Sequence, residues 1–299
     1  MEKKSSLTHI KISFAKALTL LSPRLNTRVL YRHRFGRWPN LKTPQTFNEK
    51  VLWLKLNTYY KNPLITQCAD KLAVRDFVKQ QGCAEILNEI YGAWNNPDEI
   101  DFSQLPDKFV LKCNYYFHMN FVVTDKSKLD IPATRKMLRR WLHSTGHLYK
   151  SEMQYSDIPK KIIAEKYIET ADGSAPVDYK VYCSYGKPSY VMTCLGRSAT
   201  EQPKFYFYDL NGTLQRDFSR EGQEAPKNYH YTKPEGWDAM LDYARKLSAS
   251  FPFVRVDFYM EQGHVIFGEL TFTPAAGMDT DLLPAAETNM GATIQLPTA

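Results

Sequence analysis

Two carboxylates, Asp257 and Glu269, each interrupt a run that otherwise reads as apolar strand, and acids so placed need a counter-charge or a chemical task. Side chains alternate along a strand, so a connecting loop with an odd number of residues puts both acids on one face, opposite or diagonal to each other. Like charges in that arrangement repel unless something positive intervenes. A magnesium ion would serve, because it binds hard carboxylate oxygens and phosphate oxygens together. A structural network in which Arg255 and Arg197 neutralise the acids would serve as well. A second polar row comes from Asp178 and Lys180, two residues apart in a strand-like stretch, with Tyr182 continuing it. Lysine on such a face suits a phosphate, and an exposed sheet surface gives the same pattern. Lys112, just before a loop, and Lys71 pose the same choice between a phosphate ligand and a solvated lysine.

These residues need elements to position them. Thr46 and Glu49 have capping-box spacing and open a helix carrying Val51, Leu52, Leu54 and Leu56, with Pro63 marking its end. A second helix holds Ala69, Leu72, Ala73, Phe77 and Val78 and stops at Gly82. Strands at 109–113 and 119–124 are followed by a charged turn, a helix at 132–144 and a return to strand at 162–168. The rest is strand-rich: 177–184, 188–195, 205–209 and a closing hairpin of 253–260 with 264–272. One helix interrupts it, opened by a capping box from Thr232 to Glu235. The order is that of an α+β protein with antiparallel sheet, divided as 1–104, an insert at 105–165, and a C-terminal unit at 166–299. No repeat is visible that would make a solenoid or propeller.

Composition sets outer limits. With 299 residues, 43% hydrophobic and 24% charged, the chain has the make-up of a globular protein of two or three subdomains. Its five cysteines are odd in number and lack metal-ligand spacing, so they read as reduced, buried thiols. The net charge of +7 is drawn largely from the first half, with Arg24, Arg28, Arg32, Arg34 and Arg37 crowded together and Arg135, Lys136, Arg139 and Arg140 further on. Such charge favours anionic partners. No zinc-finger, RRM or zipper signature is present, so nucleic acid is not expected, and nucleotide phosphates or an acidic membrane face fit instead. The apolar stretch from Leu7 to Leu21 contains Lys11 and Lys16 and is too short to span a bilayer. It is expected to form an amphipathic helix that packs on the body or touches a membrane surface, in a cytoplasmic protein.

Taken in order, the segments ADKLAVRDFV, LPDKFVLKCN, DKSKLD, KIIAEKYIE, DYKVYCSYGKP, VRVDFY and FGELTFTPAAG resemble the TupA-like branch of the ATP-grasp superfamily, over about residues 43–297. The resemblance implies ATP clamped between a small lid subdomain and a C-terminal antiparallel-sheet subdomain. It assigns Lys71 and Lys112 to the nucleotide phosphates, and Glu165, Lys166, Tyr167 and Ile168 to the hinge whose backbone meets adenine. Lys180 and Arg197 match the basic groups near the transferred phosphate. Asp257 and Glu269 match the magnesium-binding acids, with Thr271 where many such proteins carry asparagine. The implied cofactors are ATP and Mg2+. The implied reaction joins a small-molecule or polymer carboxylate to an amine through an acylphosphate, in surface-polysaccharide or teichuronopeptide synthesis, with peripheral contact to membrane-bound machinery.

One segment departs from the pattern. Relatives carry a short His-Gly-Ser-Gly type loop after the strand FVLKCN, and this chain has Tyr115, Tyr116, Phe117 and His118. Consecutive bulky residues restrict φ and fill space that phosphate oxygens would occupy. Three outcomes stay open: the aromatics swing outward and ATP binds, the loop stacks on a different ligand, or the site is catalytically silent. A sugar-nucleotide-dependent glycosyltransferase is the rival enzyme class, since paired acids, a metal and a basic pocket would serve it too.

Overall fold

The computed structural model describes residues 2–170, 173, 175–196 and 203–297. The chain begins with α1 (Glu2–Leu21) and α2 (Pro23–Phe35), then α3 (Phe47–Leu56), α4 (Pro63–Ala69) and α5 (Val74–Gln80). Ser22 caps α2 by accepting from Leu25 N–H, and Gly36 closes it in the left-handed conformation. Thr46 caps α3 as expected, accepting from Glu49 N–H. Pro63 does not end that helix. It is the first residue of α4, where its missing N–H costs nothing.

The single helix expected over 69–78 is broken. Asp70 accepts from the N–H groups of Leu72 and Ala73 at 2.8 and 3.3 Å, which turns the chain at 70–73 and places Lys71 in the turn. Periodicity alone could not show this, because the apolar residues on either side keep helical spacing.

Next come β1 (Ile90–Trp94), β2 (Phe109–Cys113), β3 (Asn120–Val123), α6 (Ile131–Leu142), α7 (Gly146–Tyr149) and β4 (Ile162–Lys166). These strands make an antiparallel sheet in the order β1-β4-β2-β3. β1, upstream of residue 105 and not foreseen, is one of its two edges. β4 stops at Lys166, so residues 167 and 168 lie in the crossover that leaves this sheet.

The second sheet is built from β5 (Asp178–Ser184), β6 (Lys187–Leu195) and β7 (Lys204–Tyr208). After α8 (Arg220–Glu224) and α9 (Trp237–Ser248), the hairpin β8 (Val254–Glu261) and β9 (His264–Thr271) completes it, and α10 (Pro284–Thr293) follows. The order is β7-β6-β5-β8-β9, antiparallel throughout. Both tight hairpins use two-residue turns with positive φ at each central residue, Tyr185-Gly186 and Gln262-Gly263, which matches the twist of the strands. The capping box expected at Thr232–Glu235 is not used. α9 starts after Gly236, held at φ +90°, where a side chain would meet the Gly263 carbonyl at 2.6 Å.

Alternation along β5 divides the layers. Tyr179 faces Trp237 of α9, which packs across β5, β6 and β8. Tyr182, on the other face, meets Phe47 of α3 and Phe253 in edge-on and tilted ring contacts. Asp178 and Lys180 share the Tyr182 face, so the charged residues lie on the side of the sheet turned toward α3 and the turn at 70–73. All five cysteines are free and buried, as expected.

Candidate functional site

The connecting turn between β8 and β9 has two residues, an even number, and by parity alone Asp257 would face Gly268. A β-bulge between Asp257 and Phe258 shifts the register so that Asp257 pairs with Glu269, while Phe258 still pairs with Phe267. The odd loop expected from the sequence is therefore replaced by an even turn and one extra residue, and the geometric result is the same. Gly268 is that extra residue. A Cβ there would lie 2.9 Å from the Asp257 carbonyl oxygen.

The bulge aligns a row across three strands, Lys180 on β5, Asp257 on β8 and Glu269 on β9, each the Cα partner of the next. A second row, Tyr182, Arg255 and Thr271, lies beside it. Lys180 Nζ is 2.6 Å from Asp178 Oδ2 and 2.7 Å from Asp257 Oδ2, and all three side chains are nearly fully buried. Arg255 binds Asp257 through two donors, Nε and one terminal nitrogen, both at 2.7 Å. That terminal nitrogen also donates to Thr271 Oγ1 at 3.2 Å, and Thr271 in turn donates to Glu269 Oε1 at 2.9 Å. Lys71 closes the network, 3.6 Å from Glu269 Oε2, while it donates to the Tyr116 carbonyl at 2.7 Å. The one lysine thus ties the loop of the first sheet to the acid of the second.

Burial opposes charge on Glu269, but Lys71, Lys180 and Arg255, with the Thr271 hydroxyl, overcome it and bring the carboxyl to about 2. For Asp257 burial wins, raising the pKa, with Arg255 and Lys180 pulling the other way. Burial also opposes charge on Arg255, and Asp257 overrides it.

The donor set accommodates a hard cation. A carboxylate offers about four lone-pair sites, and Arg255 and Lys180 take three on Asp257, leaving one on Oδ1. Glu269 Oε2 carries only the long contact to Lys71, and its side chain is 38% exposed. Two carboxylate oxygens with phosphate oxygens suit magnesium. Thr271 hydrogen-bonds Glu269 and Arg255. No cluster of three or more His, Cys, Asp or Glu suited to a metal occurs among the described residues.

Lys112 lies elsewhere. It pairs with Glu165 Oε2 at 2.6 Å across β2 and β4. Glu165 and Lys166 end β4, Lys166 N–H donates to the Glu89 carbonyl, and Tyr167 and Ile168 follow in the crossover between the sheets. Arg197 lies outside the described residues. Arg255, considered from sequence only as a neutraliser, sits at the centre of the network. The available signal was its two-residue spacing from Asp257, which fixes both on one face.

The Tyr115–His118 loop keeps a glycine-like path without glycine. Tyr116 and His118 have φ of +64° and +56°. The aromatics do not act together. Tyr115 and Tyr116 turn into the protein, where Tyr115 OH meets His147 Nδ1 and Tyr116 packs against Tyr155, while Phe117 and His118 are exposed. Burial, reinforced by Lys160 and Lys16, lowers His147 to about 4, so it is neutral at pH 7.

Beyond β9 the chain turns through Ala275, Ala276 and Gly277, all left-handed. Lys55, fully buried and lowered by burial to about 8, donates to the Ala276 and Lys150 carbonyls and pins this turn. A cavity of about 320 Å³ opens beside it, lined by His33, Arg34, Lys150, Tyr149, Leu30 and Met278.

The family model for TupA-like ATPgrasp matches residues 49–295. Among solved structures, the chain is similar to a D-alanine–D-alanine ligase from Bacillus anthracis complexed with ATP, at 16% identity over 76% of this chain and 64% of that chain, TM-score 0.45. It is similar to an L-amino acid ligase from Bacillus licheniformis at 11% identity, over 77% and 49% of the two chains, TM-score 0.46. For the N5-carboxyaminoimidazole synthase from Aspergillus clavatus the figures are 14%, 69% and 44%, TM-score 0.42. The chain spans less than two thirds of the length of each. No curated protein matches it.

Proposed function

Since the chain belongs to the TupA-like ATP-grasp family, matched over residues 49–295, we propose that it is an ATP-dependent ligase joining a carboxylate to an amine. The observation that carries this proposal is the Lys180–Asp257–Glu269 row, set by the Gly268 bulge and met at its end by Lys71. Two adjacent acids with a cation on either flank suit a triphosphate and a divalent ion together.

Asp257 Oδ1 and Glu269 Oε2 would hold magnesium, which supplies charge neutralisation between the phosphates and polarises the transferred one. Lys71 would leave the Tyr116 carbonyl for a phosphate oxygen. Lys180 and Arg255 would face the γ-phosphate and the charge that develops during its transfer. An acceptor carboxylate oxygen forms a bond to the γ-phosphorus as the bond to the ADP oxygen breaks, giving an acylphosphate and ADP. The amine then forms a C–N bond to the acyl carbon, phosphate leaves, and the amine gives up its proton. Arg34, Lys150 and His33 line the cavity beside the 275–277 turn and would receive the acceptor carboxylate. An acceptor from surface-polysaccharide or teichuronopeptide synthesis fits this cationic lining.

Calorimetric titration with a non-hydrolysable ATP analogue, with and without magnesium, tests the reading. Magnesium-dependent binding lost in Asp257→Asn and Glu269→Gln is the expected result. Preference for a sugar nucleotide would turn the assignment to a transferase. No nucleotide binding at all would mark the site as silent.

A further inference from the structure

Residues 1–48 hold ten of the 39 lysines and arginines and one of the 32 acids, Glu2, a net +9. The whole chain is +7, so residues 49–299 are net −2. The net positive charge therefore comes from a segment that precedes the family match.

Within this segment α1 is built inside out. Its packed face is small and polar: Ala15 is buried, Thr19 shares a 2.7 Å hydrogen bond with Ser151, and Asn26 of α2 donates to Thr19, Ser151 and the Tyr149 carbonyl. The outward face carries Ile10, Phe14 and Leu21, which helical spacing aligns in one stripe, with Leu20 beside them. They are 62%, 65%, 80% and 74% exposed. Packing of this chain makes no use of them. Leu25 and Trp38 are also exposed, and Arg28 and Arg32 lie over the Trp38 ring at 5.5 and 5.9 Å. Arg24, Arg28 and Arg32 are all exposed.

An apolar stripe flanked by cations is the pattern of a helix that lies in a membrane interface, with apolar side chains among acyl chains and basic ones at the headgroups. Tryptophan favours the same depth. No helix among the described residues is long and apolar enough to cross a bilayer, so the contact is with the surface. A second copy is a poor occupant, because it would bring two +9 segments together. We propose that α1 and α2 form a peripheral anchor that docks this protein on an anionic bilayer, with Ile10, Phe14, Leu20 and Leu21 inserted and Arg24, Arg28 and Arg32 on lipid phosphates. α1 packs on α7, and a Cβ at Gly146, the first residue of α7, would meet the Tyr116 ring at 2.6 Å, so the anchor lies one layer from the loop above the candidate site.

The test is flotation of the full chain with vesicles of phosphatidylcholine alone or with about one third phosphatidylglycerol. Binding to the anionic vesicles should exceed that to the neutral ones at least about tenfold and collapse in roughly 0.5 M salt. A Phe14→Ser/Leu21→Ser double variant, altered only at exposed positions, should lose about tenfold while its unfolding midpoint and nucleotide titration stay unchanged. That readout is independent of ligase activity, so failure of the anchor and failure of the ligase assignment are separable. The proposal is overturned if neutral and anionic vesicles bind alike, or if the double variant binds as well as the parent. Tighter capture by duplex RNA, indifferent to Phe14 and Leu21, would overturn it too, as would a dimer in sedimentation that the double variant dissolves.

Discussion

Replacing His118 by Gly and Tyr116 by Gly should move stability in opposite directions, although both residues belong to one loop and both have positive φ. A left-handed backbone costs an L-residue roughly 1–2 kcal/mol, which glycine relieves. Glycine also gives the unfolded chain more freedom, taking back about 0.4–1 kcal/mol. His118 is exposed and loses little else, so His118→Gly should stabilise by about 0.5–1 kcal/mol. Tyr116 is 7% exposed and packs against Tyr115, Phe117 and Tyr155 at ring separations of 5.6, 4.1 and 5.4 Å. Deleting a buried aromatic costs about 3–5 kcal/mol, so Tyr116→Gly should destabilise by a net ~2–4 kcal/mol. In thermal unfolding His118→Gly should raise the midpoint by roughly 1–3 °C and Tyr116→Gly should lower it by several degrees. The reasoning fails if the two variants shift the same way. Destabilisation by His118→Gly would mean that residue 118 is not held left-handed. Stabilisation by Tyr116→Gly would mean that the ring contributes no packing.

Gly268→Ala should cost about 1–3 kcal/mol, because the new Cβ meets the Asp257 carbonyl oxygen at 2.9 Å, and should also weaken magnesium-dependent nucleotide binding in calorimetry. Unchanged affinity would show that the bulge does not set the row. Lys180→Met leaves Asp178 and Asp257 buried without the lysine between them, and a loss of about 3–5 kcal/mol is expected in urea unfolding. A loss under about 1 kcal/mol would mean that the other partners of the two acids suffice to hold them. Glu269→Gln tests the electrostatics by pH. The folded pKa of Glu269, about 2, lies below its ordinary 4.5, so its ionisation stabilises the protein above pH 4.5 and this contribution fades as pH falls toward 2. The side chain is 38% exposed, so screening reduces the effect to roughly 1–2 kcal/mol. With a chelator present, the stability gap between wild type and Glu269→Gln should close over that window, and a gap independent of pH would refute it.

How much of this was legible in the sequence depends on the range of the forces involved. Asp257 and Glu269 stood out because a carboxylate in an apolar strand is costly, and both lie in the network. Their alignment was legible only as a parity condition, and the bulge that meets it arises where Gly268 lets the backbones approach, a tertiary fact with no local periodic signal. The turn that places Lys71, a residue singled out from the sequence, was hidden for a related reason. The Asp70 side chain breaks the helix by capping 72 and 73, yet Asp70 also accepts from Asn114 Nδ2, a contact 44 residues away. The Thr232–Glu235 box was a false signal because Gly236, backed against Gly263, starts α9 instead. β1 was missed since its pairing to β4 joins residues some seventy positions apart, and its strand pattern is too short to stand alone.

The charge balance of the network constrains how ligands enter it. Among the described residues it holds three acids, Asp178, Asp257 and Glu269, and three cations, Lys71, Lys180 and Arg255, opposite charges in equal number. That balance explains how the sheet tolerates charges whose burial would otherwise be costly. A triphosphate carrying one divalent ion is still an anion, and its arrival leaves the site short of positive charge. Lys112, also assigned to phosphate by family resemblance, is tied to Glu165. On the proposed function Lys112 would exchange a carboxylate for a phosphate, as Lys71 would exchange the Tyr116 carbonyl. Both exchanges replace an intramolecular partner with a ligand oxygen, and both lysines contact the first sheet or its loop. The ligand would therefore draw the two sheets together through Lys112, now paired within the first sheet, and Lys71, which already joins the loop of the first sheet to Glu269 of the second, which is the coupling a nucleotide-clamping fold requires.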